Sequence, residues 1–430
     1  MGGSARAAVL PMRTSSVISR SLRQLSYLVL IAAVSACADE DGEPERDLLD
    51  GVRLVRGDFG DRPLPNLDRE WRTRFDAGDA LFDHRYYESQ GLGPVYIRAS
   101  CASCHENDGR GPGAVRKMVV LDQDGLPLSD QTGLTWGSTI RPQTITGLGS
   151  GIIAPEGTSS VLITVRQPPA TFGRGYIEAI EDAEIERVEA EQAERGDAIS
   201  GRINWVTYTS EANPDKRFHA HAQGTRMVGR FGLKARIATL DDFAADALLG
   251  DMGMTSDLRP HELPNPHGDT DNRPGVDVTP DTVNLLADYM RLLRIPNRML
   301  VDDARGKELF EQTQCGACHV PSLHTSPDYA FTPLADIEAP VFSDLLLHDM
   351  GKDFDDGLHD FDATSTEWRT APLLGLRFVR TYLHDGRAKS VEEAIELHGA
   401  DDSEATDSVQ RFRDLSDKDR EVLLAYVSAL

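Results

Sequence analysis

Cys101-Ala102-Ser103-Cys104-His105 and Cys315-Gly316-Ala317-Cys318-His319 are two copies of one pattern, and they decide how the rest of the chain is read. Two thiols three positions apart can each form a thioether with one vinyl group of a single porphyrin, and the adjoining imidazole can reach the iron as proximal ligand. A dithiol redox pair or half of a zinc site would use the same cysteines, but neither explains a histidine directly after both pairs. With five cysteines among 430 residues, two such copies are not a chance event. The sequence therefore predicts two covalent haems c, attached at Cys101, Cys104, Cys315 and Cys318, with His105 and His319 as iron ligands.

The flanks of the two motifs also repeat. Gly78-x-x-Leu81-Phe82 precedes the first and Gly306-x-x-Leu309-Phe310 the second, each ending a helical segment. An Arg-x-x-Pro segment follows each motif, Arg166 to Pro169 and Arg369 to Pro372. Each half closes with an amphipathic helix carrying Leu and Tyr, one opened by Thr279-Pro280-Asp281 and one by Ser416. This pairing predicts a mainly α fold of two tandem cytochrome c-like domains, residues 71–300 and 301–430, with the break near 296–303. The first domain is enlarged by loop and short-strand insertions, with 18 residues between Phe82 and Cys101 where the second half has four between Phe310 and Cys315. Residues 109–155 read as loop and short strand, Glu178 to Arg195 as a charged, solvated helical face, and 260–280 as turns. Asp269, Asp271 and Asp277 in the last of these offer oxygen ligands of the kind calcium takes, plain loop being the alternative.

Composition narrows the partners. The apolar share of 40% and charged share of 27% exclude a wholly disordered chain and a polytopic membrane protein. A formal charge of −25 repels phosphate backbones, so nucleic acid is excluded as a partner; a redox partner protein or a quinol-linked donor fits better. Arg6, Arg13, Arg20 and Arg23 precede the apolar stretch Leu25 to Ala36, which is too short to span a bilayer and has the size of an export-signal core. Val34-Ser35-Ala36-Cys37 resembles a bacterial lipobox. The expectation is a signal peptide over 1–36, lipidation of Cys37 and an acidic tether over 37–70 that anchors the protein on the periplasmic side of the envelope, at the outer rather than the inner membrane. An uncleaved anchor or an ordinary signal cut near Ala36 are the alternatives.

Further stretches carry a resemblance. Gly91 to Pro94, Asp108 to Gly111, Arg166 to Gly173, Ile199 to Arg202, Gly229 to Lys234 and Gly250 to Gly253 in the first half, with Leu347 to Gly351 and Leu383-His384-Asp385-Gly386 through His398-Gly399 in the second, resemble the bacterial di-haem oxidoreductase family, whose members are described as peroxidases. The last stretch is also similar to di-haem cytochrome c peroxidases and methylamine-utilisation di-haem enzymes. The resemblance implies a peroxidase-like fold of two haem domains.

Whether a haem carries electrons or reacts depends on its sixth iron position: two strong protein ligands saturate it, whereas an open face can bind peroxide or another small oxidant. In the peroxidases resembled, the distal ligand of the C-terminal haem is a Met at a set interval after the Gly of the His-Asp-Gly motif, and laid onto this sequence that position is His398. Met350 is the second candidate there. For the first haem, Met252 and Met254 are candidate distal ligands, with His219 and His221 behind them. Glu178, Glu393, Arg230 and Arg387 are available as acid–base or electrostatic groups, and Trp205 or Trp368 as electron relays. The leading expectation is an exported electron-transferring di-haem cytochrome with peroxidase chemistry at one haem. A non-catalytic electron carrier, or a haem oxidoreductase acting on a thiol, organic or protein substrate, are the competing readings.

Overall fold

The computed structural model describes residues 61–430 apart from 107–108, 112, 129, 156–159, 212, 219–220, 269–274, 300 and 302. Cys37, His219, Asp269 and Asp271 therefore lie outside the described residues. The α-helices run α1 (Arg69–Asp83), α2 (Arg174–Ala179), α3 (Asp182–Arg195), α4 (Leu240–Met252), α5 (Pro280–Leu292), α6 (Asp303–Gln312), α7 (Val391–Leu397), α8 (Thr406–Arg413) and α9 (Asp417–Ser428). Their starts follow from capping. Asp68 accepts from the Trp71 N–H at 2.9 Å, Ser390 from Glu393 at 3.0 Å and Ser416 from Asp419 at 3.2 Å, while Thr279 caps α5 with Pro280 at its first position.

Two helix pairs repeat the same contact. α1 packs on α5 and α6 on α9. A Cβ placed on Gly78 would stand 2.6 Å from the Tyr289 Cβ, and one placed on Gly306 would stand 2.5 Å from the Tyr426 Cβ. Glycine is required at both crossings because the backbone of one helix lies against the root of the other's tyrosine. The phenylalanine four residues on then meets that tyrosine: Phe82–Tyr289 centroids are 5.2 Å apart and Phe310–Tyr426 centroids 5.7 Å. The repeated Gly-x-x-Leu-Phe is thus the signature of a helix pair that delivers the chain into a Cys-x-x-Cys-His loop.

The sheets are two-stranded. The longest pairs Val115–Val120, inside the stretch expected as loop and short strand, antiparallel with Val161–Arg166 beyond it, in register Val115↔Arg166 to Val120↔Val161. The core is shared across the chain. Leu323, Phe331, Leu334, Leu345 and Leu346 from beyond α6 pack in one apolar cluster with Phe75, Phe82, Tyr289 and Leu292. A second cluster unites Leu309, Phe310, Phe412, Leu423 and Tyr426. Residues 61–68, expected as tether, are held: Leu64 is buried and its N–H donates to the Leu292 carbonyl at 2.8 Å.

The charged run Glu178 to Arg195 is not a uniformly solvated face. Glu178 ends α2 and is buried, with its carboxylate bound by Arg291 Nε at 2.5 Å, Tyr329 Oη at 2.6 Å and the Leu240 N–H at 2.9 Å. In α3, Ile185, Val188 and Gln192 recur every three to four residues and turn inward, so the helix exposes only its outer side.

Candidate functional site

The two motif loops share one turn. The His105 N–H donates to the Cys101 carbonyl and the His319 N–H to the Cys315 carbonyl, each at 3.0 Å. The thiols of each pair therefore project from a single tight turn with the histidine at its end.

The second loop opens onto an apolar cavity of about 280 Å³. Cys315, Cys318 and His319 line it, with Phe172, Phe310, Leu376 and Val427 among its walls. His319 Nδ1 donates to the Phe342 carbonyl at 3.1 Å, which leaves Nε2 as a free acceptor. His398, the residue at the end of α7, lines the same cavity, and its Nδ1 donates to the Ala394 carbonyl at 2.6 Å, again leaving Nε2 free. Burial, and then the neighbouring His398, lower His319 to about 4; burial also lowers His398. Both shifts favour the neutral imidazole, the form that ligates a metal.

Met350 lines the cavity too, in a cluster with Phe354, Trp368 and Ala400. His384 is a further imidazole on this wall that sequence reasoning missed. It is stacked on Trp368 at 3.8 Å and 8°, its Nδ1 is buried with no partner, and burial lowers it to about 3. Its only signal in the sequence is its place in the Leu383-His384-Asp385-Gly386 stretch.

Behind Cys318, His348 is buried between two carboxylates, its Nε2 2.8 Å from Asp344 and its Nδ1 2.7 Å from Glu404. Burial alone would lower this imidazole, but the Asp344 carboxylate and then the Cys318 sulfur hold it well above its ordinary value. Ligand atoms of Cys318, Asp344 and His348 lie within 4.8 Å of one another. That imidazole, however, is already engaged on both nitrogens.

Three arginines border the cavity: Arg110, from the loop after the first motif, Arg174 at the start of α2, and Arg369. Arg110 Nε and Nη2 are buried without partners. A haem fits this lining: paired thiols, a free imidazole nitrogen beside them, a second imidazole on the same cavity, apolar walls, and cations for its acidic edge.

At the first loop, His105 packs on Phe82 with centroids 6.0 Å apart, and burial lowers it to about 4. The chain folds back over this loop. A Cβ on Gly111 would lie 1.9 Å from the Cys104 carbonyl oxygen, and one on Gly113 2.7 Å from the Cys104 Sγ. Only glycine permits such approach. Burial raises Cys101 to about 12 and Cys104 to about 11, as expected of thiols withdrawn from solvent and not of reactive thiolates. Met252 and Met254 are both buried in the main core.

The four acid–base candidates do not line the cavity. Glu178 is engaged as described, Arg230 pairs with Asp182, Glu393 accepts from the Lys389 N–H, and Arg387 pairs with Asp385. Trp368 borders the cavity, whereas Trp205 is half-buried beneath Arg226, whose guanidinium carbon is 3.8 Å from the ring centroid. Lys234 Nζ stands 3.9 Å from the Trp368 ring centroid, so both candidate relays carry a cation on the indole. Such a cation disfavours an indole radical cation, which argues against either as a hole carrier. His221 lies near Tyr208, with ring centroids 6.0 Å apart.

Among the described residues no helix is long and apolar enough to cross a membrane. A search of curated proteins finds no match. Among solved structures, the chain is similar to a MauG-like protein associated with microbial copper homeostasis, at 16% identity, covering 86% of this chain and 92% of that one, TM-score 0.40. The diheme peroxidase BthA from Burkholderia thailandensis matches at 15% identity, 86% of each chain and TM-score 0.39. A hydrazine synthase from Kuenenia stuttgartiensis matches at 15%, over 86% of this chain and 94% of that one, TM-score 0.37. The family described as "Di-haem oxidoreductase, putative peroxidase" matches residues 156–430, a span that holds the second motif and leaves the first ahead of it. That span exceeds half of the chain, and the protein belongs to the di-haem oxidoreductase family.

Proposed function

We propose that the protein is an exported, lipid-anchored di-haem oxidoreductase with both haems covalently attached, one at Cys101/Cys104 and one at Cys315/Cys318, and that it passes electrons between them to reduce peroxide or a similar small oxidant. The observation that carries this reading is the cavity that brings His398 together with Cys315, Cys318 and His319. When bound, each haem supplies one-electron chemistry at its iron.

The residues divide the labour. His319 and His398 each commit Nδ1–H to a backbone carbonyl and present a neutral Nε2. Two imidazoles on one iron leave no room for peroxide and give a lower potential than His/Met ligation, so the second site is assigned to electron transfer. The apolar side chains around them, Phe172, Phe310, Leu376 and Val427, would limit water around a haem held there. Peroxide chemistry then falls to the first site, where His105 is the single ligand from the motif loop. A redox partner protein or a quinol-linked donor supplies the electrons, with a neutral or basic face to meet a chain of −25.

The test is the visible spectrum of protein matured in a host that attaches haem c. The wild type should hold one low-spin haem and one that accepts an added ligand, before or after partial reduction. His398→Ala should turn the low-spin haem high-spin. Two saturated haems under all conditions would make the protein an electron carrier instead, and an unchanged spectrum in His398→Ala would remove that ligand.

A further inference from the structure

In a chain this acidic, carboxylates are at hand to meet sequestered arginines, and they meet Arg166, Arg230 and Arg291, whereas buried Arg141 donates to the backbone carbonyls of Trp136 and Pro264. Arg166 is bound by Asp356 at 2.7 Å and Asp360 at 2.5 Å, and Arg291 by Glu178 at 2.5 Å and by Asp288. The three arginines on the second cavity differ. Arg174, 8% exposed, gives Nε at 2.7 Å and also Nη2 to one backbone carbonyl, that of Ala170. Arg369, 5% exposed, donates to the carbonyls of Gly232 at 3.0 Å and Thr370 at 2.7 Å. Arg110 leaves Nε and Nη2 with no partner at all. The charges of Asp385 and Asp344 reach Arg110 and Arg369, but none of the three makes a direct ion pair, and a buried guanidinium without one costs several kcal/mol unless an anion arrives with a ligand. Glu404, already bound by His348, and His384, Gln314 and Thr370 also face the cavity among its apolar side chains, so the ligand it suits is largely hydrophobic and carries carboxylates for the arginines.

Two of the three come from the other half of the chain. Arg110 stands five residues beyond His105, and Arg174 is close enough to His105 for its charge to disfavour protonation of that ring. The same cations therefore face the second cavity and neighbour the first motif.

We infer that Arg110 and Arg174, with Arg369, seat the propionate carboxylates of the haem held at Cys315, Cys318 and His319, so that the half of the chain bearing the first motif fixes the charge, and hence the potential, of the second haem. This rests on the di-haem reading above. Paired with guanidinium, the propionates stay ionised across neutral pH, and the potential of that haem is independent of pH. Unpaired in a dry cavity, a propionate is pushed up into the neutral range. Reduction then carries a proton with it: the ferric haem takes one electron from the mediator and the propionate one proton from solvent.

The experiment is spectropotentiometric titration of the full matured chain at stepped pH, for wild type, Arg110→Gln, Arg174→Gln and Arg110→Lys. A haemochrome count on the wild type checks the di-haem reading separately, and a count of two in each variant shows that it matured. The expected result is a flat potential–pH profile for the low-spin haem in the wild type. In each Gln variant the potential should fall and acquire a slope that rises toward one proton per electron, with the Lys variant restoring most of the wild-type profile. Arg110 lies on a partly exposed loop, so its variant reports even where Arg174→Gln does not fold. Variants with two haems and the wild-type profile overturn the assignment. So does a wild-type spectrum that shifts on adding acetate, with that response lost in Arg110→Gln while the potential stays put, since the seat would then belong to a soluble carboxylate.

Discussion

Gly306→Ala tests the helix crossing that carries the second motif loop. The new Cβ would lie 2.5 Å from the Tyr426 Cβ and 2.7 Å from its Cγ. Carbon atoms settle at about 3.5–4.0 Å, so α6 and α9 must part by about 1 Å. Overpacking of this kind costs about 1–3 kcal/mol, and the upper end applies because the obstacle is the fixed root of the tyrosine and not a mobile tip. Alanine's better helix propensity returns about 1 kcal/mol. The net loss is about 2 kcal/mol, a fall in melting temperature of roughly 4–8 °C at 2–4 °C per kcal/mol. Gly250→Ala is the control. It sits in α4 with open space around its Cβ, so only the propensity gain of about 1 kcal/mol applies and the protein should melt higher. Thermal melts of the matured protein, followed by Soret absorbance and far-ultraviolet circular dichroism, distinguish the two. Gly306→Ala melting at or above wild type, or both variants moving in the same direction, would refute the packing argument.

Three further outcomes are expected. His384 is held neutral to about pH 3, whereas an unfolded histidine titrates near 6.5, so the unfolded chain binds the extra proton and this group withdraws stability as pH falls from 6.5 toward 3. His384→Phe keeps a ring against Trp368 but cannot titrate, so urea denaturation between pH 4 and 6.5 should show a shallower loss, by up to about 1.4 kcal/mol per pH unit; equal slopes would contradict this. Glu178→Ala strips Arg291, Tyr329 and the Leu240 N–H of their shared acceptor and should cost about 3 kcal/mol in chemical denaturation, a loss under 1 kcal/mol counting against the buried network. Cys315→Ala with Cys318→Ala should halve the haem count by pyridine haemochrome, and a count still at two would mean the second motif is not an attachment site.

What the sequence made legible was whatever depends on near neighbours. Gly306, Phe310 and the closing tyrosine could be paired across the two halves because each helix crossing repeats the same steric need. Ser416 and Thr279 marked helix starts because capping involves only the next three residues. The inward placement of His398 came through likeness to peroxidases, since a lone histidine at a helix end has no local mark of its cavity. Arg110, Arg174 and His384 escaped notice for the converse reason. They sit in turns and at a short helix end, where arginine and histidine are usually solvated, and only chain folding from segments as far as 274 residues apart gathers them on one wall. Glu178 was misread as part of a solvated face because its partners Arg291 and Tyr329 lie 113 and 151 residues away.

The segment around Gly111 and Gly113 that doubles back over Cys104 also bears on biogenesis. With Gly113 close against the sulfur, Cys104 is only partly open to solvent in the finished fold. If haem is attached there, thioether formation is easier before Gly111 and Gly113 settle over the loop, and the covalent step would then come early in the life of each chain.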